Sequence, residues 1–287
     1  SVVPEDAGVI VRTAAEGASE ENLRQDVERL AAEWERIKEK AVTANAPSLL
    51  LMLAEGRAFG EFGASFAFAP LLMTAPRGDG HPVLVLPGLL ASDVSTLILR
   101  RYLDLLGFST HPWGFGRNTG GVYSMREKLG QLLTSVHATT GRKVSLVGWS
   151  LGGVYARDLA LRMPDMVRYV VTLGSPFAGD VSATNARRIY EMLSGEKIED
   201  ADLRDIRAIA GDLPVPTSSL YTRTDGVVNW RTCLNRASDT AENIEITLAS
   251  HIGIGVNAAA LWAVADRLAQ KEGEFQPFDR SGPFSLA

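Results

Sequence analysis

The chain has 287 residues, 46% of them hydrophobic, which is enough for one sizeable core, and α/β folds of this length are often single domains. Its net charge of −5 argues against a nucleic-acid surface, because proteins that grip phosphates carry basic patches. The single cysteine, Cys233, excludes an internal disulfide and suits a reducing compartment.

The first expected element is a helix. In SEENLRQDVERLAAEWERIKEKAV, the residues Leu23, Val27, Leu30, Trp34, Ile37 and Ala41 are spaced by alternating steps of four and three. That spacing makes one apolar stripe, with Ser19 as the N-cap. Such a stripe lies on the body of its own chain, or it joins a second copy and makes a homo-oligomer. A coiled coil ordinarily needs on the order of three to four heptads, and this helix has fewer. A second apolar segment runs from Pro47 to Met73, interrupted by Glu55, Arg57 and Glu61. Its longest uncharged run falls short of the roughly 20 residues of a spanning helix, so no integral membrane segment is expected. No charged-then-apolar secretory segment opens the chain, and the expected location is the cytoplasm. Residues 1–78 read as a helical extension packing on the body, 79–271 as the main domain and 272–287 as a poorly structured tail.

From residue 82 strand and helix alternate. PVLVLP precedes the helical DVSTLILRRYLDLLG, and the weaker strand FSTHPW precedes VYSMREKLGQLLTSVHATTG. KVSLVGW precedes LGGVYARDLALRM, which Pro164 stops, and VRYVVTLGSP is a further strand. The pattern resumes at TSSLYTRTDG and NIEITLASH and ends in the helix NAAALWAVADRLAQ. Near-continuous apolar strands paired with helices predict an α/β fold, a mostly parallel sheet covered on both faces. Residues 177–215 break the rhythm with a polar insertion, expected to be a lid or cap.

The stretch Gly148-Trp149-Ser150-Leu151-Gly152 joins a strand to a helix and matches G-x-S-x-G. A serine in so sharp a turn stands clear of the sheet at a helix N-terminus, where backbone N–H groups stabilise negative charge. A glycine-rich turn that merely tightens helix packing would show the same five residues, but it would require no acid and no histidine at later strand ends. A nucleophilic serine needs a base and an orienting acid, each past a later strand, in the order serine, acid, histidine. Asp225 comes after SSLYTRT, and His251 comes after NIEITLAS. Asp239 and Glu242 are rival acids, but neither stands at a strand end. His81 reads as a solvated turn residue and His137 as a surface one; His111 stands at a strand end but precedes the serine. For the oxyanion hole, the backbone N–H of Leu151 is one donor. The loop PGLLAS supplies the other from Leu89, with Leu90 as the fallback; the same loop also reads as a plain connection capped by Ser92 or Asp93. Leu90, Trp149 and Phe177 lie beside these groups and are the candidate substrate-binding residues. No chemistry is evident for the loop WGFGRNTGG, residues 113–121, beyond bracing by Arg117 and Asn118.

From about residue 80 to 270 the chain resembles the α/β-hydrolase superfamily, and more narrowly its bacterial lipase- and esterase-like members. VLVLPGLLASD, PWGFGRN, VGWSLGG, TLGSPF and TRTDGVVNW resemble segments of that group in the same order. The resemblance implies hydrolysis of a small-molecule carboxylic ester with no metal or organic cofactor, with Ser150, Asp225 and His251 in the triad roles. It departs in reading Leu-Pro-Gly where many lipases have His-Gly, and in a helical lead-in where the full fold has two early strands. The same triad would serve an acyltransferase or an amide or lactone hydrolase. A binding protein on a hydrolase scaffold is the reading from another class.

Overall fold

The computed structural model describes residues 49–178, 208–236, 238–247 and 249–281. The chain divides into two compact units, Ser1–Ala46 and Pro47–Ala287, and all the described residues belong to the second. The striped helix expected after Ser19 and most of the expected lid lie outside the described residues.

Six strands form one parallel sheet: β1 (Pro82–Leu86), β2 (Ser109–His111), β3 (Val144–Trp149), β4 (Val167–Leu173), β5 (Thr217–Tyr221) and β6 (Ala241–Glu245). Their spatial order is β2-β1-β3-β4-β5-β6. The chain first steps from β1 outward to β2, then crosses back over β1 to lay β3 on its other side, pairing Val83 with Ser145 and Leu86 with Gly148. The order therefore reverses between β1 and β3, and in open α/β sheets the ligand crevice lies at such a switch point, beyond the carboxyl ends of the strands.

The alternation of side chains across the pleat sorts the apolar strands into two cores. Val83, Val85, Val147 and Val171 face α4 (Leu97–Leu105) and α7 (Ala258–Leu268), against Leu99, Leu103, Leu261 and Val264. Leu84, Leu86, Leu146 and Val170 face α5 (Val122–Thr140) and α6 (Leu151–Arg162), against Leu129, Leu133, Val154 and Leu159. A sheet buried on both faces has no place for alternating polar residues, which is why β1 and β4 read as near-continuous apolar runs. Helix α5 closes on Gly141 in the left-handed region (φ 66°), and Asn257 caps α7 by accepting from the N–H groups of Ala259 and Ala260.

Among the described residues, three short helices precede the sheet: α1 (Leu49–Ala54), α2 (Ala58–Ala67), with a 3-10 turn at Glu55–Arg57 between them, and α3 (Ala69–Leu72). The described residues 49–78 belong to the same compact unit as the sheet. Leu72 enters the core of α4 and α7, and its carbonyl accepts from the Tyr102 hydroxyl at 2.9 Å.

Two local expectations need correction. His81 is not a solvated turn residue: it is fully buried, with Nδ1 2.7 Å from Asp79 and Nε2 3.1 Å from the Ser145 hydroxyl. The described part of the tail beyond Lys271 is a docked strap, with Phe278 edge-on to Trp262 and Phe275 stacked on Tyr169. Its Phe278 N–H donates to Glu242, which also accepts from Ser218 and Arg267, so this rival acid is occupied in holding the strap. The buried Arg157 of α6 donates to the Ile209 carbonyl and to Asn235, and its guanidinium lies 3.8 Å from the Phe177 ring. Burial lowers its pKa to about 9.

Candidate active site

Ser150 sits between β3 and α6 with φ 53° and ψ −120°, and Leu90 has φ 61°. Among the described residues these are the two non-glycine residues with positive φ, and both belong to the loops at the switch point. Such strain persists only where the surroundings over-determine it, and it concentrates at functional sites. Here the surroundings are visible. A side chain on Gly148 would strike the backbone of Gly152 and Gly153, and one on Gly152 would strike the carbonyl of Leu86. Strand, turn and helix can close this tightly only with glycine at both positions. The Ser150 N–H donates to the Leu173 carbonyl at 2.8 Å, tying the turn to the end of β4.

Three loops converge here. His251 Nε2 lies 3.0 Å from Ser150 Oγ, and His251 Nδ1 lies 2.7 Å from Asp225 Oδ2. A carboxylate only accepts, so Nδ1 carries the proton and Nε2 is left to accept from the serine hydroxyl. Asp225 is fixed in turn, because its Oδ1 accepts from the N–H groups of Val227 at 2.8 Å and Val228 at 2.7 Å. All three side chains are buried, at 6% exposure for Ser150, 4% for Asp225 and 6% for His251. The rival Asp239 is exposed. Among the described residues, no group of three His, Cys, Asp or Glu is placed to hold a metal ion.

The loop after β1 lies beside the serine, since a β-carbon on Gly88 would stand 3.1 Å from the Ser150 Cβ. Leu90 N–H donates to the Asn118 carbonyl at 2.7 Å, so the fallback donor is already engaged. Asp93 caps no helix; its carboxylate accepts from the N–H groups of Trp113 and Gly114. Asn118 has a role that sequence reasoning glimpsed only as bracing. Fully buried, it donates through Nδ2 to the Pro87 carbonyl at 2.9 Å, accepts from the Tyr155 hydroxyl at 3.0 Å, and accepts through its own carbonyl from Leu90. The loop 113–121 thereby holds the backbone of 87–91 against α6.

The three residues expected to line the substrate site are placed differently from one another. Leu90 is 65% exposed. Trp149 is half-buried, and its indole N–H donates to the His251 carbonyl at 3.1 Å, with the ring against Gly255. Phe177 is buried in the core of α5 and α6 beneath Arg157. Val227 and Ile252, each within two residues of Asp225 or His251, are exposed, and no local pattern in the sequence marks them.

Glu55 belongs beside these residues although no local pattern marks it. Read in the sequence only as an interruption of an apolar run, it is buried, and its carboxylate accepts from the N–H groups of Gly226, His251 and Ile252. Its partners lie 171 to 197 residues away, beyond the reach of any local pattern.

Residues 1–56 are similar to the Ribonuclease E/G family, a match covering less than half of the chain and mostly outside the described residues. The fold is similar to that of the mature form of a Bacillus licheniformis lipase, BlEst2, at 16% identity and a TM-score of 0.50, over 69% of this chain and 93% of that one. It is also similar to Aspergillus fumigatus lipase B, at 16% identity and a TM-score of 0.50, over 68% of this chain and 55% of that longer one. No described helix is long and apolar enough to cross a membrane.

Proposed function

The chain has the α/β-hydrolase fold, and from that premise we propose that it is a serine hydrolase that cleaves carboxylic esters through an acyl-enzyme. One observation carries the reading: the hydrogen-bonded line from Asp225 through His251 to Ser150, with 2.7 Å and 3.0 Å links, at the switch point of the sheet. Ser150 Oγ attacks the ester carbonyl while His251 Nε2 takes its proton. Asp225 keeps the proton on Nδ1 and stabilises the imidazolium that forms. The N–H groups of Leu89 and Leu151 receive the charge that develops on the carbonyl oxygen, a contribution worth about 10²–10³-fold in rate per donor. His251 then returns its proton to the leaving alcohol, and water repeats the sequence on the acyl-enzyme.

Leu90, Val227 and Ile252 present exposed apolar surface beside these groups, which favours uncharged acyl chains. The lipases from Bacillus licheniformis and Aspergillus fumigatus share the fold and agree with this substrate class.

Hydrolysis of p-nitrophenyl esters from acetate to palmitate and of a p-nitrophenyl ester with a charged acyl group, by the wild type and Ser150→Ala side by side, tests the proposal. Turnover that disappears with the hydroxyl is expected, with an optimum among uncharged chains. Equal turnover by both proteins, or preference for charged acyl groups, contradicts it.

A further inference from the structure

The helices that precede the sheet grip both loops that carry the acid and the base. The Glu55 carboxylate stands between them. Its Oε1 accepts from Gly226 N–H at 2.7 Å, next in sequence to Asp225, and from the N–H of His251 itself at 3.1 Å. Its Oε2 accepts from Ile252 N–H at 2.9 Å. Two residues on, Arg57 donates to the carbonyls of Thr224 at 2.6 Å and Ala249 at 2.7 Å, on the other flank of each loop. Glu61 accepts from the N–H and hydroxyl of Ser250 at 2.8 and 2.6 Å, and from Asn257 Nδ2 at 3.0 Å. Every residue from 249 to 252 is therefore held by this turn and helix, as are the residues on both sides of Asp225.

The approach is close enough to dictate sequence elsewhere. A side chain on Gly226 would strike the Leu51 carbonyl, and one on Gly253 would strike the Glu61 carboxylate. A buried carboxylate needs hydrogen-bond donors, and here peptide N–H groups at the catalytic loops supply them.

We infer that Glu55 is a positioning residue for catalysis, one that sets the spacing of His251 against Asp225 and Ser150 by bridging the backbone of their two loops. This rests on the serine-hydrolase reading. An amide at this position keeps the volume but turns one acceptor oxygen into an NH₂ that faces peptide donors. The loops then separate or rotate, and misplacement on the scale of an ångström costs about 10²-fold in rate.

The test is the second-order rate of covalent labelling of Ser150 by a fluorophosphonate, which needs no knowledge of the natural substrate. It is measured on the full-length wild type, Glu55→Gln and Glu55→Asp, with thermal melting of each and with kcat and KM on the best p-nitrophenyl ester. Labelling and kcat slower by about 10–100-fold in folded Glu55→Gln, with KM nearly unchanged, are expected. Should Glu55→Gln fail to fold, Glu55→Asp, which keeps the carboxylate but draws it back from the two loops, takes its place: the same loss supports the inference and an unchanged rate overturns it. Labelling of folded Glu55→Gln at the wild-type rate overturns the inference alone. A wild type that is not labelled at all overturns the hydrolase reading and this inference with it.

Discussion

At the scale of single residues, burial and pairing together decide when a side chain carries charge. His81 is the clearest case outside the active site. Burial holds its pKa below the ordinary 6.5, opposed by the hydrogen bond to Asp79 and reinforced by the charges of Arg168 and Arg142. The folded chain therefore keeps His81 neutral at a pH where the unfolded chain protonates it. Stability present above the unfolded value is lost as pH falls below 6.5. Asp79 adds to this at lower pH: burial works against its charge, but hydrogen bonds from Arg142 and His81 outweigh that and hold its pKa well below the ordinary carboxylate value. Urea unfolding at about pH 7.5 and about pH 5.5 should show a loss of stability on acidification, and His81→Gln should flatten it. An undiminished slope in that variant would contradict the assignment.

At the scale of elements, the loops around Ser150, Asp225 and His251 are held from behind by segments distant in sequence. The brace at Asn118 makes this measurable. Asn118→Ala removes the donor to Pro87 and the acceptor for Tyr155, leaving a buried carbonyl and hydroxyl without these partners. The expected cost is about 1–3 kcal/mol of stability, read by chemical denaturation. A fall in kcat larger than any change in KM should accompany it, because the loop it holds carries Leu89. Loss of stability with kcat intact would separate the loop from catalysis. What was legible in the sequence divides along the same line. The strand–turn–helix around Ser150 could be read because its constraints are local: two glycines, an apolar strand and a helix start lie close together in the chain. Asp225 and His251 could be read because strand ends are local features too. The brace and the clamp could not, since Asn118 meets Pro87 across 31 residues and Glu55 meets His251 across 196. The charges Glu55, Arg57 and Glu61, which argued against a membrane span, are the clamp itself. Trp149 reads as a pocket residue from its place beside Ser150, and its indole donates to the His251 carbonyl, a contact 102 positions away that no local pattern marks.

At the scale of the whole molecule, a parallel sheet whose order reverses between β1 and β3 gathers distant residues at one edge. Ser150 and His251 are 101 positions apart and Asp225 lies 26 before the histidine, yet each comes directly after a sheet strand or in its closing loop. The fold shared with the two lipases persists at 16% identity because what it requires is a pattern of buried strands and tight turns. The sequence elsewhere is free to differ, and here helices α1 and α2 stand over the acid and base loops. If Ser150 carries the acyl group between two half-reactions, the acyl-enzyme can be caught. Rapid mixing with excess p-nitrophenyl acetate, followed by acid quench and peptide mass analysis, tests this directly. A burst of about one p-nitrophenol per chain and an acetyl group on the peptide containing Ser150 are expected, both absent from Ser150→Ala. An undiminished rate of ester turnover in Ser150→Ala, or an acetyl group found on another residue, would contradict it.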